Sequence, residues 1–243
     1  MKKIELNADL GEGCAGDAQI LPFIDAANIA CGGHSGDRQS MQQTLLLARR
    51  HGVSAGAHPS YPDRQHFGRR ALKMDESELQ HSLRQQLQQL GEIATAIDYP
   101  LRHIKPHGAL YNQCAVDSAL ADRVVECFAR FDDRLIIVGL AGGELTRIAG
   151  TRGLKTQQEG FVDRRYRDDG SLQPRSDTDA VIGDIDAAFR QAQQIVATGQ
   201  VTSINQRAVP LAIDTLCLHG DGKHAVALAQ RLSALLRSSR DKP

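Results

Sequence analysis

Apolar positions change their period repeatedly along this chain. Seven short strand-like runs, KIELNA (3–8), AANIAC (26–31), VSAGAH (53–58), RHIKPH (102–107), RLIIVG (134–139), LKTQQEG (154–160) and DTLCLHG (214–220), alternate with segments whose apolar residues recur about every 3.6 positions. Met41, Leu45 and Ala48 share one face after Asp37. Leu79, Leu83, Leu87, Leu90 and Ala94 share another behind Asp75 and Glu78, which are spaced as a capping box. Val124, Val125 and Phe128 mark a third helix. Ile182, Ile185, Phe189, Ala192 and Val196 mark a longer one, and Ala225, Ala229, Leu232 and Leu236 the last. VTSIN (201–205) reads as an extra short strand. Strands separated by helices of this length pair in parallel through right-handed crossovers, so the pattern predicts an open doubly wound sheet or a closed barrel.

Composition narrows the function classes. A chain of 243 residues with 41% hydrophobic content can bury one large core, and without a visible linker, repeat or low-complexity tract it predicts a single domain over 1–243. Lys plus Arg and Asp plus Glu each number 29, so no net field draws the protein to nucleic acid or an acidic membrane. Six Phe, four Tyr and no Trp also speak against a base-stacking surface. The start offers only four residues before polar groups appear, too few for a secretory signal, and no run reaches membrane-spanning length. The five cysteines are scattered, odd in number and without a C-x-x-C pair, which predicts a reduced, cytoplasmic protein whose cysteines are small buried hydrophobes.

Ionisable side chains and glycines collect where the predicted strands end. Asp9, Gly11, Glu12 and Gly13 follow the first; Gly32, Gly33, His34 and Asp37 the second; His58, Pro59, Ser60 and Asp63 the third; Lys105 and His107 the fourth. Glu159, Asp163, Arg164 and Arg165 follow the sixth, and His219, Gly220 and Asp221 the seventh. Parallel strands all end on one face, so these clusters should converge in one pocket. Lys105 and His107, two apart, face one side; Pro106 stiffens the exit and Gly108 lets the backbone turn closely past a ligand. Asp37 and Asp221 precede helices and read equally well as caps. His51, His66, His81, His103 and His224 read as structural, whereas His34, His58, His107 and His219 at four separate exits read as a functional set. GLAGGELTR (139–147) reads either as amides facing an anion at a helix start or as a tight turn; it is neither a P-loop nor a G-x-G-x-x-G fingerprint. Without G-x-S-x-G or H-E-x-x-H, a serine elbow is disfavoured and any metal site must be assembled from separate strands.

The motifs LNADLGEGC (6–14), ANIACGGHSGD (27–37), GAHPSYPDRQHFGRR (56–70), HIKPHGALYN (103–112), EGFVDRRYRDDGSLQPRS (159–176) and TLCLHGDGKHA (215–225) together resemble the LamB/YcsF family of 5-oxoprolinase subunits. The resemblance implies a TIM-like (β/α) barrel of about seven parallel strands, related to polysaccharide deacetylase and glycosidase barrels. It implies ATP-dependent opening of 5-oxo-L-proline to L-glutamate with formation of ADP and phosphate, carried out with two other subunits. Carried onto this chain, the implied catalytic positions are Asp9, His58, Lys105 and His107, and the substrate-binding ones Glu12, His34, Asp37, Asp163, Arg164, Arg175 and His219. Gly33 departs from the pattern, where the resemblance leads one to expect an aromatic residue.

A lactam shares the resonance that flattens the peptide bond, so water attacks it slowly; phosphorylating its oxygen with ATP would remove that resonance and supply a leaving group. Such chemistry calls for cations, here Lys105, Arg164 and Arg175, and for Asp9, His58 or His107 to position water. Asp9 or Glu12 would hold Mg²⁺. Two alternatives stand beside it: a stand-alone metal-dependent amidohydrolase or deacetylase using Asp9, His34 and His58, and a non-catalytic binding subunit.

Overall fold

The computed structural model describes residues 3–220, 222 and 224–240; Asp221, one of the strand-exit groups, lies outside the described residues. The strands are β1 (Glu5–Leu10), β2 (Ala26–Ala30), β3 (Ser54–His58), β4 (His103–Ile104), β5 (Ile136–Leu140), β6 (Thr156–Phe161), the short pair β7 (Gln200–Thr202) and β8 (Ala208–Pro210), and β9 (Thr215–His219). β1 to β6 and β9 close into a parallel ring in that order, with β9 pairing back to β1. The closed-barrel alternative is therefore the one adopted. The segment at 201–205 does start in a strand, but β7 pairs antiparallel with β8 outside the ring.

Among the described residues eight α-helices surround or cap it: α1 (Asp17–Ile20), α2 (Arg38–His51), α3 (Glu76–Ala96), α4 (Gly108–Cys114), α5 (Ser118–Phe131), α6 (Glu144–Thr151), α7 (Ile185–Thr198) and α8 (Ala225–Arg240). Asp75 and Glu78 form the expected capping box of α3, and Asp37 with Ser40 forms one on α2. α7 begins at Ile185, later than its apolar pattern suggests, because Asp184 accepts from the Ala187 amide and sets the start. α4, only seven residues long, has no readable period of its own. β4 is likewise shorter than its sequence run. Beyond it the chain still follows β3: the Lys105 amide donates to the Ala57 carbonyl and the His107 amide to the Pro59 carbonyl. No described helix is long and apolar enough to cross a membrane.

The ring's two surfaces differ in chemistry. In β1, Leu6, Ala8 and Leu10 are buried in the apolar core, while Asn7 and Asp9, at the alternate positions, meet polar groups from other strands. Asn7 donates to Glu159 and Thr215, and Asn28 donates to Asn7 and Asp9. His103 Nε2, 2.7 Å from Asn28 Oδ1, reaches from β4 to β2 across the intervening β3. It can do so because β3 carries Gly56 there: a Cβ at that position would lie 2.2 Å from the His103 ring. The imidazole occupies the place of the missing side chain. Burial pushes the His103 pKa down to about 3, so the ring is neutral and serves as a structural donor.

Gly56→Ala should destabilise the barrel by about 1–3 kcal/mol through overpacking and displacement of His103. A urea-unfolding midpoint equal to that of the parent protein would contradict this packing.

Candidate active site

The parallel ring delivers its polar exits to one mouth, as elementary barrel geometry requires. At the floor of this mouth lies Lys105, 2% exposed. Its Nζ stands 2.9 Å from Asp9 Oδ1, 2.9 Å from Glu159 Oε1 and 3.2 Å from Cys217 Sγ. Burial opposes the ammonium, but the neighbouring Asp9, Cys217 and Glu159 outweigh it and hold the lysine pKa well above 10.5. Burial likewise opposes the Asp9 carboxylate, yet His58 and Lys105 hold its pKa well below 3.8. Lys105 thus remains a cation and Asp9 an anion.

Three imidazoles gather beside this ion pair. His58 Nδ1 lies 2.8 Å from the Lys105 carbonyl, leaving Nε2 facing Asp9 Oδ2 at 3.3 Å and His107 Nδ1 at 3.0 Å. His107 Nε2 lies 3.0 Å from the Phe67 carbonyl. The His34 ring stacks on His107 with centroids 3.6 Å apart, and its Nε2 is 2.9 Å from Glu12 Oε1. Burial, reinforced by the neighbouring His34 and His58, keeps the His107 pKa well below 6.5; burial also lowers that of His34. Glu12, His34, His58 and His107 bring one potential ligand atom each within 4.8 Å of the others, as do Asp9, Cys217 and His219. The first group has the donor chemistry of a transition-metal site.

The opposite wall is built from the segment after β6 and the end of β9. His219 Nδ1 is 2.9 Å from Asp163 Oδ2, and its amide donates to the same carboxylate. Burial acts against the Asp163 charge, but His219 and Arg175 keep its pKa below the ordinary carboxylate value. Arg164 donates to the carbonyls of Ala180 and Gln173, tying down the segment that carries Arg175. Burial, with Arg175 adding to it, brings the Arg164 pKa down to about 10. Between the two walls is a cavity of about 300 Å³ lined by Asp9, His58, Lys105, His107, Tyr111, Phe161, Arg164, Arg175 and His219, among others. Glu12 and His34 adjoin it through the imidazole cluster.

Some expected roles change. Asp37 is exposed at the start of α2, where it accepts from the Ser40 amide; it caps the helix and does not line the cavity. Gly108 makes its close approach to the chain itself, since a Cβ there would lie 2.5 Å from the Gly68 carbonyl oxygen. The amides of the glycine turn before α6 are engaged within the protein. Gly142 donates to Gln158 Oε1, Gly143 to the Leu140 carbonyl and Glu144 to the Ala115 carbonyl, so the tight-turn reading holds. At Gly33 a Cβ would lie 2.4 Å from Gln86 Oε1; Gln86, hydrogen-bonded to both backbone groups of Ser60, fills the space beside it. Cys31 is buried and its thiol is pushed up to about 12, which removes it as a nucleophile. Sequence reading missed the contributions of Asn7, Asn28 and Cys217, and placed Glu159 at a strand exit without an individual role. Their signal was polar residues at alternate strand positions, which marks a polar barrel interior.

A lactam utilization protein from Thermus thermophilus has the same fold, with a TM-score of 0.89 and 34% identity over 99% of this chain and 98% of its own. A candidate cellobiose-phosphate cleavage protein from Enterococcus faecalis shares the fold at a TM-score of 0.56 and 9% identity, covering 98% and 93% of the two chains. A T48 deacetylase shares it at 0.50 and 13%, covering 98% and 85%. Residues 4–241 match the LamB/YcsF family, and the chain belongs to that family.

Proposed function

We propose that this protein is a cyclic-amide hydrolase that opens the lactam of 5-oxo-L-proline to give L-glutamate. The observation that carries the reading is Lys105, a permanent cation at the floor of a small cavity, held between Asp9 and Glu159 and next to neutral imidazoles. At about 300 Å³ the cavity lies at the small end of ligand pockets, in keeping with a five-membered ring rather than a polymer. Family membership and the relative's role in lactam utilization support the same substrate class.

In this reading Lys105 stabilises negative charge on the lactam oxygen, where a preformed cation acts most strongly in a dry site. The His58 and His107 pair orients the attacking water, and Arg175, with Arg164 bracing its segment, receives the substrate carboxylate. Coupling to ATP would transfer the γ-phosphoryl group to the lactam oxygen with release of ADP; water would then add at the carbonyl carbon and the C–N bond would break to leave an acyl phosphate, from which a second water would release phosphate and form the γ-carboxylate. Mg²⁺ would accompany the nucleotide. In this reading the nucleotide is bound together with two partner subunits.

A second reading, an amidohydrolase needing a metal but no ATP, is favoured by the convergence of Glu12, His34, His58 and His107. Glutamate release from 5-oxoproline, measured with and without ATP, partner subunits and chelator, separates the two. The proposed function predicts turnover that needs ATP and partners and falls at least ~100-fold in His107→Ala. ATP-independent turnover abolished by chelator would favour the second reading, and no turnover under any condition would overturn both. Because the Lys105 pKa lies above 10.5, kcat/KM should not decline on the alkaline side below about pH 10. A loss centred at about pH 8 to 9 would show that Lys105 works as a neutral amine instead.

A further inference from the structure

The segment between β6 and α7 does more than carry Arg175. It folds back on itself: Tyr166 pairs antiparallel with Leu172, the Gln173 amide donates to the Arg165 carbonyl, and Gly170, at φ +83°, closes the turn by donating to the Arg167 carbonyl. Residues directly opposite in an antiparallel pair present their side chains to the same face, so Leu172 turns inward with Tyr166, which is fully buried. The Tyr166 hydroxyl in turn accepts from the Phe161 amide at the end of β6. Leu172, 9% exposed, thereby lines the cavity alongside Phe161, Tyr111 and Pro174.

The fold-back is also fixed from outside. The Ile204 amide donates to the Tyr166 carbonyl, and Asp168 receives Ser203, Asn205 and Arg207 from the β7–β8 hairpin. Arg164 holds the Gln173 carbonyl, next to Leu172 in the chain. A side chain on such a support is preorganised, so it keeps its place when a ligand enters and does not retreat for a larger one.

The cavity thus offers polar groups at Lys105 and the imidazoles, an apolar wall of Tyr111, Phe161, Leu172 and Pro174, and the guanidinium of Arg175. Tyr111 and Phe161 meet edge to face with centroids 5.6 Å apart, which gives that wall a fixed shape. A small lactam acid has matching edges. Its ring holds the amide cis, so N–H and C=O share one edge; the methylenes form the opposite edge; and a carboxylate on the carbon beside the nitrogen lies between the two. Leu172 and Arg175 stand three residues apart on one segment, so they address neighbouring parts of the ligand, the methylene edge and the carboxylate. We propose that Leu172 is a specificity-determining residue that sets ring size, restricting the substrate to five-membered cyclic amides with a carboxylate beside the ring nitrogen.

The inference rests on the lactam reading, and the test separates the two failures. Ring opening of 5-oxo-L-proline, of its six-membered homologue 6-oxopiperidine-2-carboxylate and of uncharged 2-pyrrolidinone is measured with ATP and partner subunits present. The parent protein should favour the five-membered over the six-membered acid by roughly 10 to 200-fold in kcat/KM, the range that one methylene commands in an apolar pocket. Leu172→Ala should cut that ratio by at least ~10-fold. It should leave unchanged the ratio of 5-oxo-L-proline to 2-pyrrolidinone, which Arg175 governs. Leu172→Phe should widen the ring-size ratio. Both substrates of a ratio meet the same folded molecules, so a smaller folded fraction in a variant moves neither ratio. A parental ring-size ratio retained in both variants would overturn the role of Leu172 and leave the lactam reading in place. Failure of the parent protein to open any of the three lactams would remove both.

Discussion

A lysine ammonium sealed inside a barrel is tolerable only if charge and hydrogen bonds replace the water it has lost. Lys105 meets that condition through Asp9 and Glu159, which come from opposite sides of the point where β9 joins the ring. Removing one partner of such a group leaves an uncompensated buried charge, typically costing about 3–5 kcal/mol. The arrangement therefore constrains the closure of the ring as well as its chemistry. Asp9 cannot rotate away from Lys105 without abandoning Asn28, and Asn28 in turn is tied to Asn7 and His103.

This coupling explains how a mouth built from loops can be well defined. Polar groups deep in the ring prescribe the orientation of groups at its rim, so the geometry of the mouth rests on strands rather than on the loops above them. His58 shows the principle directly: its ring is aimed by the carbonyl of Lys105, the same residue whose side chain reaches down to the ion cluster. Phe67, in a left-handed conformation at the end of a short turn, supplies the carbonyl that aims His107. One lysine and one loop carbonyl thus determine which imidazole nitrogens face the cavity.

The deacetylase that shares this barrel at 13% identity shows how widely the scaffold is used, while the chemistry resides in side chains at the strand ends. In this chain those ends are divided into an imidazole-rich wall and a guanidinium-bearing wall. The first suits activation of a nucleophile. The second suits recognition of an anionic group, and the lysine lies between them.

The alternation of strand-like and helical periods, together with the place of each polar cluster after a strand, determined a parallel α/β architecture with its polar ends on one face; closure of the sheet into a ring was decided by the tertiary structure. Period and position are local properties, and parallel closure brings all strand ends together whatever the details of packing. The sequence could not separate Asp37, a helix cap, from its neighbour His34, which sits in the cluster, because both follow the same strand and only burial distinguishes them. Nor could it reveal that Glu159 lies against Lys105, or that Gly56 makes room for His103, since these meetings depend on the register of strands far apart in the chain. Local sequence decides what each strand presents; the stagger of the closed ring decides which of those groups meet.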